Sequence, residues 1–286
     1  MAGPLGNAAL VEPELASPLA CALSSMEREV LTTVRTALSQ RRMRLAYQPA
    51  VYAADPSIIG FYEGYIRLLD AQDRVIPARD FMPVVEMQEL GREIDLAALQ
   101  LGLQTLQEHP GIRVAVNMSA RSVGYAPWTQ LLWRSLLNHP GIGRGLILEI
   151  SEATAVQMPD VLIPFMNELR PQGIAFTLDD YAAGATSLQL LAAFRFDIAK
   201  LDGRFVRGID RYAGHQKILR GAIALAQEFG MFLTAESVET HAEAEWLRDQ
   251  GVGCLQGFFF GAPDVSPDFA AFLAARLSAD RALDRR

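Results

Sequence analysis

Apolar residues in this chain fall into short runs that alternate with longer stretches of helical period. Runs with strand character occupy residues 45–51, 58–69, 112–118, 146–150, 174–178, 198–201, 232–235 and 253–255. Between most of them, apolar residues recur every three or four positions, which predicts helices over 94–106, 128–137, 161–169, 187–193, 216–229 and 242–250. The helix ends carry stop signals: His-Pro-Gly at 109–111 and again at 139–141, then Gln172-Gly173, Phe229-Gly230 and Gln250-Gly251. Short, near-continuous apolar strands separated by amphipathic helices predict a parallel sheet covered on both faces. Eight such strands within one domain predict a barrel. The first two are an exception, because only the short stretch around Ala53-Ala54-Asp55-Pro56 separates them. That reads as a turn, so the pair forms a hairpin and one of the two strands runs antiparallel. A doubly wound open sheet is the competing architecture. No Gly-rich phosphate loop follows any strand, which argues against its dinucleotide-binding form.

Residues 26–42 read as a leading helix ending in Arg41-Arg42, and residues 1–25, rich in Ala, Pro and Leu, as a loose tail. The barrel domain is expected over 26–278, with a last helix after Asp264 and a charged tail at 279–286. The 286 residues, 50% hydrophobic, suffice for one barrel and leave no room beside it for a sensor or cyclase domain within this sequence.

Charge and cysteine content narrow the chemistry. A formal net charge of -7 argues against a nucleic-acid polymer as partner, and an anionic ligand would need local cations to hold it. Cys21 and Cys254 are far apart and the four histidines do not cluster. A disulfide framework and a cysteine zinc site are therefore not expected, and a reducing cytoplasm fits. His109 and His139 read as solvated loop residues. No apolar run reaches the ~18 residues of a spanning helix. The segment before Cys21 carries Glu12 and Glu14 and no Lys or Arg, unlike a secretory leader.

The ends of the strands carry the candidate chemistry. They hold Glu63, Asn117, Glu149, Asp179 with Asp180, Lys200 with Asp202, Glu236 with Glu239, and Gln256. In a parallel barrel these ends open on one face, where barrel enzymes place their sites. The acids and the Asn are hard oxygen donors with no His or Cys among them, a set suited to Mg²⁺ or Mn²⁺ rather than Zn²⁺ or Cu²⁺. Without cations such carboxylates repel one another. Two divalent ions ~3.5–4 Å apart relieve that repulsion and suit an in-line phosphoryl displacement. The adjacent Asp179 and Asp180 are placed to bridge them. Lys200 either stays charged and orients a water or, if its pKa is lowered, accepts a proton. Taken singly, each acid also fits a plainer role. Asp179 or Asp180 fits a helix N-cap, and Glu239 fits a first-turn helix acid. The set as a whole points to catalysis.

Nine ordered motifs make the chain resemble the EAL-domain family of cyclic di-GMP phosphodiesterases over about residues 43–263. Tyr47-Gln48-Pro49 is similar to the family's YQP, and Glu63-Gly64-Tyr65-Ile66-Arg67 stands where it has EALLR. Phe81-Met82-Pro83 with Glu86 is similar to FIP…AE, and Val116-Asn117-Met118-Ser119 to VNLS. Glu149-Ile150-Ser151-Glu152 matches ELTE, and Leu178-Asp179-Asp180-Tyr181 matches LDDF. Lys200-Leu201-Asp202 matches KID, the segment from Ala235 to Thr240 matches AEGVET, and Gln256-Gly257-Phe258 matches QGY.

The resemblance implies an α/β fold, a modified TIM-type (β/α)8 barrel with an antiparallel first strand. It implies metal ligation by Glu63, Asn117, Glu149, Asp179, Asp180 and Glu236, with two Mg²⁺ or Mn²⁺ ions. Lys200 would assist the attacking water, Glu239 and Gln256 would support the metal and water network, and Glu152 would steady the loop after Asp179-Asp180. Gln48 and Arg67 would contact the ligand, with Asp202 beside them. The reaction implied is hydrolysis of cyclic di-GMP to linear 5′-pGpG in a cytoplasmic homodimer.

The sequence departs from the pattern at three places. Gly64-Tyr65 replaces Ala-Leu; Tyr65 is expected as a packing substitution, though facing the pocket it would crowd or stack on a guanine. Ala182-Ala183 replaces Gly-Thr, which is expected to deny position 182 a positive φ. Ser237 replaces Gly, with little effect expected. Two other readings stand beside the phosphodiesterase: a cyclic di-GMP receptor without turnover, and a barrel enzyme that stabilises an enolate with one divalent ion and a Lys base.

Overall fold

A computed structural model of the chain describes residues 18–184, 187–270 and 273. The strands are β1 (Met43–Tyr52), β2 (Ile59–Leu69), β3 (Val75–Pro77), β4 (Val114–Asn117), β5 (Leu146–Ser151), β6 (Ala175–Tyr181), β7 (Ile198–Leu201), β8 (Phe232–Ala235) and β9 (Cys254–Gln256). The helices are α1 (Pro18–Ser39), α2 (Met82–Val85), α3 (Glu89–Glu108), α4 (Ala126–Asn138), α5 (Glu152–Gln157), α6 (Pro159–Leu169), α7 (Leu188–Phe194), α8 (Gly203–Val206), α9 (Ala213–Glu228) and α10 (His241–Asp249).

The sheet runs β1-β9-β8-β7-β6-β5-β4-β2-β3, and a further β1–β2 pairing closes it. Eight strands thus form a ring, and β3 hangs from the end of β2. From β2 through β9 the ring strands are parallel to their neighbours. β1 is antiparallel to both of its neighbours, as the short hairpin connection requires. The architecture is the modified (β/α)8 barrel, and the open sheet is set aside.

Residues of alternate parity point to opposite faces of a strand. One parity builds the floor of the barrel, where Ala50, Phe61, Ala115, Ile147, Ile198 and Cys254 form a small buried cluster. The other parity meets the helices in a much larger core that includes Leu148, Phe176 and Leu233 from strands and Trp128, Phe165 and Leu247 from helices. Two positions beyond the floor, the inward parity turns polar: Glu63 after Phe61, Asn117 after Ala115, Glu149 after Ile147, Lys200 after Ile198 and Gln256 after Cys254. Antiparallel β1 delivers its polar residue two positions before its floor residue, Gln48 before Ala50.

Some details depart from the sequence expectations. α1 starts at Pro18 and so takes in the end of the expected tail; residues 1–17 and the charged end at 279–286 lie outside the described residues. Of the last helix expected after Asp264, positions 269, 270 and 273 are helical and most of the remainder lies outside the described residues. His139 is exposed, but His109 is half-buried with its ring 4.7 Å from that of Phe269. Cys254 is a buried free thiol. Among the described residues, no helix is long and apolar enough to cross a membrane.

Candidate active site at the barrel mouth

The centre of the mouth is a buried lysine. Lys200 ends the inward row of β7 and is 1% exposed. Its Nζ lies 2.8 Å from Glu63 Oε2, 3.1 Å from Glu149 Oε2, 3.1 Å from Asp179 Oδ1 and 4.0 Å from Glu236 Oε2. Four carboxylates from four strands or strand ends therefore surround one ammonium. Burial alone would lower the Lys200 pKa, but Asp179, Glu149 and Glu63 together raise it well above its ordinary value. The lysine is held charged.

The acids divide. Burial would raise Glu63, but the charge and hydrogen bond of Lys200 and the amides of Asn117 and Gln256 hold it down, at about 2. Asn117 Nδ2 donates to Glu63 Oε1 at 3.0 Å, and Gln256 Nε2 donates to Glu63 Oε2 at 2.9 Å. Glu149 is raised well above its ordinary value by burial and then by the neighbouring Glu63 charge. Burial also pushes Glu236 up to about 7, aided by Asp179 and Glu63. Asp180 is raised by burial and by Asp179 and Asp202. One ammonium does not neutralise this many carboxylates.

Those shifts, together with the donor chemistry, test the fit of divalent cations. Oxygens of Asp180, Asp202 and Glu236 lie within 4.8 Å of one another. Glu149 Oε1 is buried and accepts no hydrogen bond. The set is all oxygen, crowded and under-neutralised, which is what Mg²⁺ or Mn²⁺ satisfies. The residues fit.

Further out, the expected residues are spread around the rim. Gln48 Nε2 donates to the Gly261 carbonyl at 2.8 Å, and Gln256 Nε2 lies 3.4 Å from Gln48 Oε1. Asp202 caps α8, accepting from the Arg204 backbone at 2.8 Å and from its guanidinium. The backbone N–H of Gly203 donates to Glu236 Oε1 at 3.0 Å. Glu152 is buried at the start of α5, in electrostatic contact with Tyr181 from the strand that carries Asp179 and Asp180. Glu239 is exposed and paired with Arg207 at 3.3 Å. Arg67 is half-buried beside Tyr65.

Three expectations need correction. Tyr65 is not a wall-packing residue: its hydroxyl donates to Glu63 Oε2 at 2.8 Å. The signal was present in β2, where Glu63, Tyr65 and Arg67 share one parity. Ala182 does adopt a positive φ, 78°, despite its Cβ, and Ser237 sits at φ 58°. Both hold a conformation that costs an L-residue roughly 1–2 kcal/mol, so the Ser237 change is less innocuous than expected.

Sequence reasoning missed two supporting acids. Asp95, on α3, accepts from the Ser119 backbone at 2.9 Å and from Ser122 Oγ at 2.6 Å, fixing the loop that follows Asn117. Glu243 accepts from the backbones of Gly208, Glu239 and Thr240, tying the loop after β7 to the loop after β8. Its signal was legible as the capping box Thr240-x-x-Glu243. At the other end of the barrel, a concavity of about 610 Å³ among the loops before β4 and β5 holds Arg113, Arg144 and His139 and no carboxylate.

A family model for the EAL domain matches residues 32–263. The chain is 30% identical over 251 residues to the bifunctional diguanylate cyclase/cyclic di-GMP phosphodiesterase MucR of Pseudomonas aeruginosa, covering 86% of this chain and 36% of MucR. It is 28% identical over 247 residues to the cyclic di-GMP phosphodiesterase PdeR of Escherichia coli, covering 81% of this chain and 35% of PdeR. The chain spans about a third of the length of the curated relatives it matches. Among solved structures, the PaMucR phosphodiesterase in complex with c-di-GMP aligns with a TM-score of 0.72 at 29% identity, covering 83% of this chain and 98% of that chain.

Proposed function

The chain belongs to the EAL domain family, and from that premise we propose that it is a metal-dependent phosphodiesterase that hydrolyses one phosphodiester bond of cyclic di-GMP to give linear 5′-pGpG. The observation that carries this reading is the convergence of Glu63, Glu149, Asp179 and Glu236 on Lys200 at one rim. Glu63, Asn117, Glu149, Asp179, Asp180 and Glu236 would hold two Mg²⁺ or Mn²⁺ ions, with Asp202 close to Asp180 and Glu236. Bound there, the ions supply an acidified water and positive charge for the phosphate and the leaving oxygen.

The remaining work falls to the chain's own side chains. Lys200 orients the attacking water while balancing the acids around it. Arg67 offers a planar fork to a phosphate oxygen, and Gln48 contacts the ligand from β1. Gln256 and Glu239 support the water network, and Glu152 steadies the segment after Asp180. The water oxygen joins phosphorus and the ribose 3′ oxygen departs, which leaves the 5′ phosphate on the product. The chain works as a cytoplasmic homodimer in this reading, and light scattering checks the dimer.

A second reading, a cyclic di-GMP receptor without turnover, is favoured by two observations. Glu63 already receives a phenol hydroxyl, and Ala182 holds its loop in a left-handed conformation. Purified protein incubated with cyclic di-GMP and Mg²⁺ or Mn²⁺ separates the readings. Formation of pGpG, abolished by Glu63→Ala, supports the enzyme. Tight nucleotide binding with no product at either metal supports the receptor.

A further inference from the structure

Tyr65 stands two positions beyond Glu63 on β2 and shares its face. The Arg67 guanidinium lies 5.4 Å from the centre of its ring. Its hydroxyl donates to Glu63 Oε2 at 2.8 Å. The same oxygen accepts from Lys200 Nζ at 2.8 Å and from Gln256 Nε2 at 2.9 Å. Gln256 Nε2 also lies 3.3 Å from the phenol oxygen, which sets the phenol as acceptor from the amide and donor to the carboxylate. A carboxylate oxygen offers two lone pairs, so three donors saturate Oε2. The other oxygen, Oε1, accepts from Asn117 Nδ2 at 3.0 Å. Glu63 is thus turned with one full oxygen toward the phenol, the amide and the lysine, and a less occupied oxygen toward the Asn117 side.

We infer that Tyr65 is a positioning residue for cation binding: its hydroxyl anchors Glu63 Oε2 so that Oε1 is presented to a divalent ion. The inference rests on the metal-site reading above and assigns a purpose to the side chain that departs most from the family pattern. Carboxylate ligands hold a metal best when their outer oxygen is hydrogen-bonded, because this fixes their orientation. Lys200 and Gln256 are divided donors, since each also serves other partners: Lys200 serves Glu149 and Asp179, and Gln256 serves Gln48. The phenol O–H has a single proton, and it is given to Glu63. A Phe or Leu at this position fills the space and donates nothing.

The test is a Mn²⁺ titration without nucleotide, with free Mn²⁺ read by electron paramagnetic resonance, on the wild type, Tyr65→Phe, Tyr65→Leu and Glu63→Ala. Tyr65→Phe is expected to keep the wild-type unfolding midpoint and bind Mn²⁺ about 10-fold more weakly. Tyr65→Leu should share the loss. Half-maximal turnover should then need correspondingly more Mn²⁺, while turnover at saturating Mn²⁺ is retained. In the wild type the titration should also perturb the near-ultraviolet absorbance of tyrosine, and Tyr65→Phe should lose that component. Equal or tighter Mn²⁺ binding by Tyr65→Phe, with binding abolished by Glu63→Ala, overturns the inference and leaves the metal site standing. A wild type that binds no Mn²⁺, or a Glu63→Ala variant that binds like wild type, overturns both.

Discussion

At the scale of single residues, the mouth is a problem in charge placement, and its solution extends beyond the lysine. Asp95 shows this most cleanly because it stands apart from the acids gathered around Lys200. Burial pushes its carboxyl up to about 7 from 3.8, although Ser122 and the Ser119 backbone pull the other way. A folded-state pKa above the unfolded one means stability that is full below about pH 3.8 and lost as pH rises through about 7. Asp95 alone then accounts for a decline on the order of 4 kcal/mol across that window. Asp95→Asn keeps an acceptor for Ser119 and should flatten the decline, as read by urea unfolding from pH 4 to 8; an unchanged slope would refute the assignment. Sequence reading found the strand-end acids because spacing and barrel geometry together place them. It missed Asp95, because an acid on a helix whose surroundings are apolar announces neither its burial nor its partners. It misjudged Tyr65 by weighing the residue type and not the parity it shares with Glu63.

Among elements, those that take part in the regular alternation of strand and helix were legible. All eight ring strands and the six helices anticipated between them lie within a few residues of their expected places. α2, α5 and α8 went unseen because helices of four to six residues do not complete two turns of the helical period, and β3, a three-residue strand outside the ring, takes no part in the strand–helix alternation. The contacts between elements were less legible still. A Cβ added at Gly257 would stand 2.1 Å from the Val238 carbonyl oxygen and 2.3 Å from its nitrogen. The end of β9 thus touches the loop after β8 backbone to backbone, joined by the Val238 N–H to the Gln256 carbonyl at 3.0 Å. Gly257→Ala must drive the two apart, at a cost of about 1–3 kcal/mol by analogy with overpacked cores. The measured denaturation midpoint should fall, and a neutral result would mean that the loop yields freely.

For the whole molecule, gathering so many carboxylates at one rim makes the fold itself a reporter of cations. Any ion that binds the folded mouth and not the unfolded chain stabilises by mass action, about 2.7 kcal/mol at a hundredfold excess over its Kd. Mg²⁺ or Mn²⁺ should raise the thermal midpoint, chelation should reverse the gain, and Glu63→Ala should abolish it; a midpoint indifferent to the ion would count against the site. That distant residues meet at one rim was readable from the alternation of strands and helices, whereas the distances within the network depend on a register that no pattern reveals. The ring also has a seam. β1 meets β9 through three residue pairs, Ala50 with Gln256, Val51 with Leu255 and Tyr52 with Cys254, while it meets β2 along nearly its whole length. A growing polypeptide therefore leaves the ribosome with its first hairpin ready and its cylinder gaping until the last staves arrive. The joint that shuts last is also a short one, and β9 is held on its other side by only two pairs to β8; short joints fray first. Amide exchange should be fastest along β9, and Gln48 and Gln256, standing on either side of that joint, would carry its breathing straight into the acidic rim.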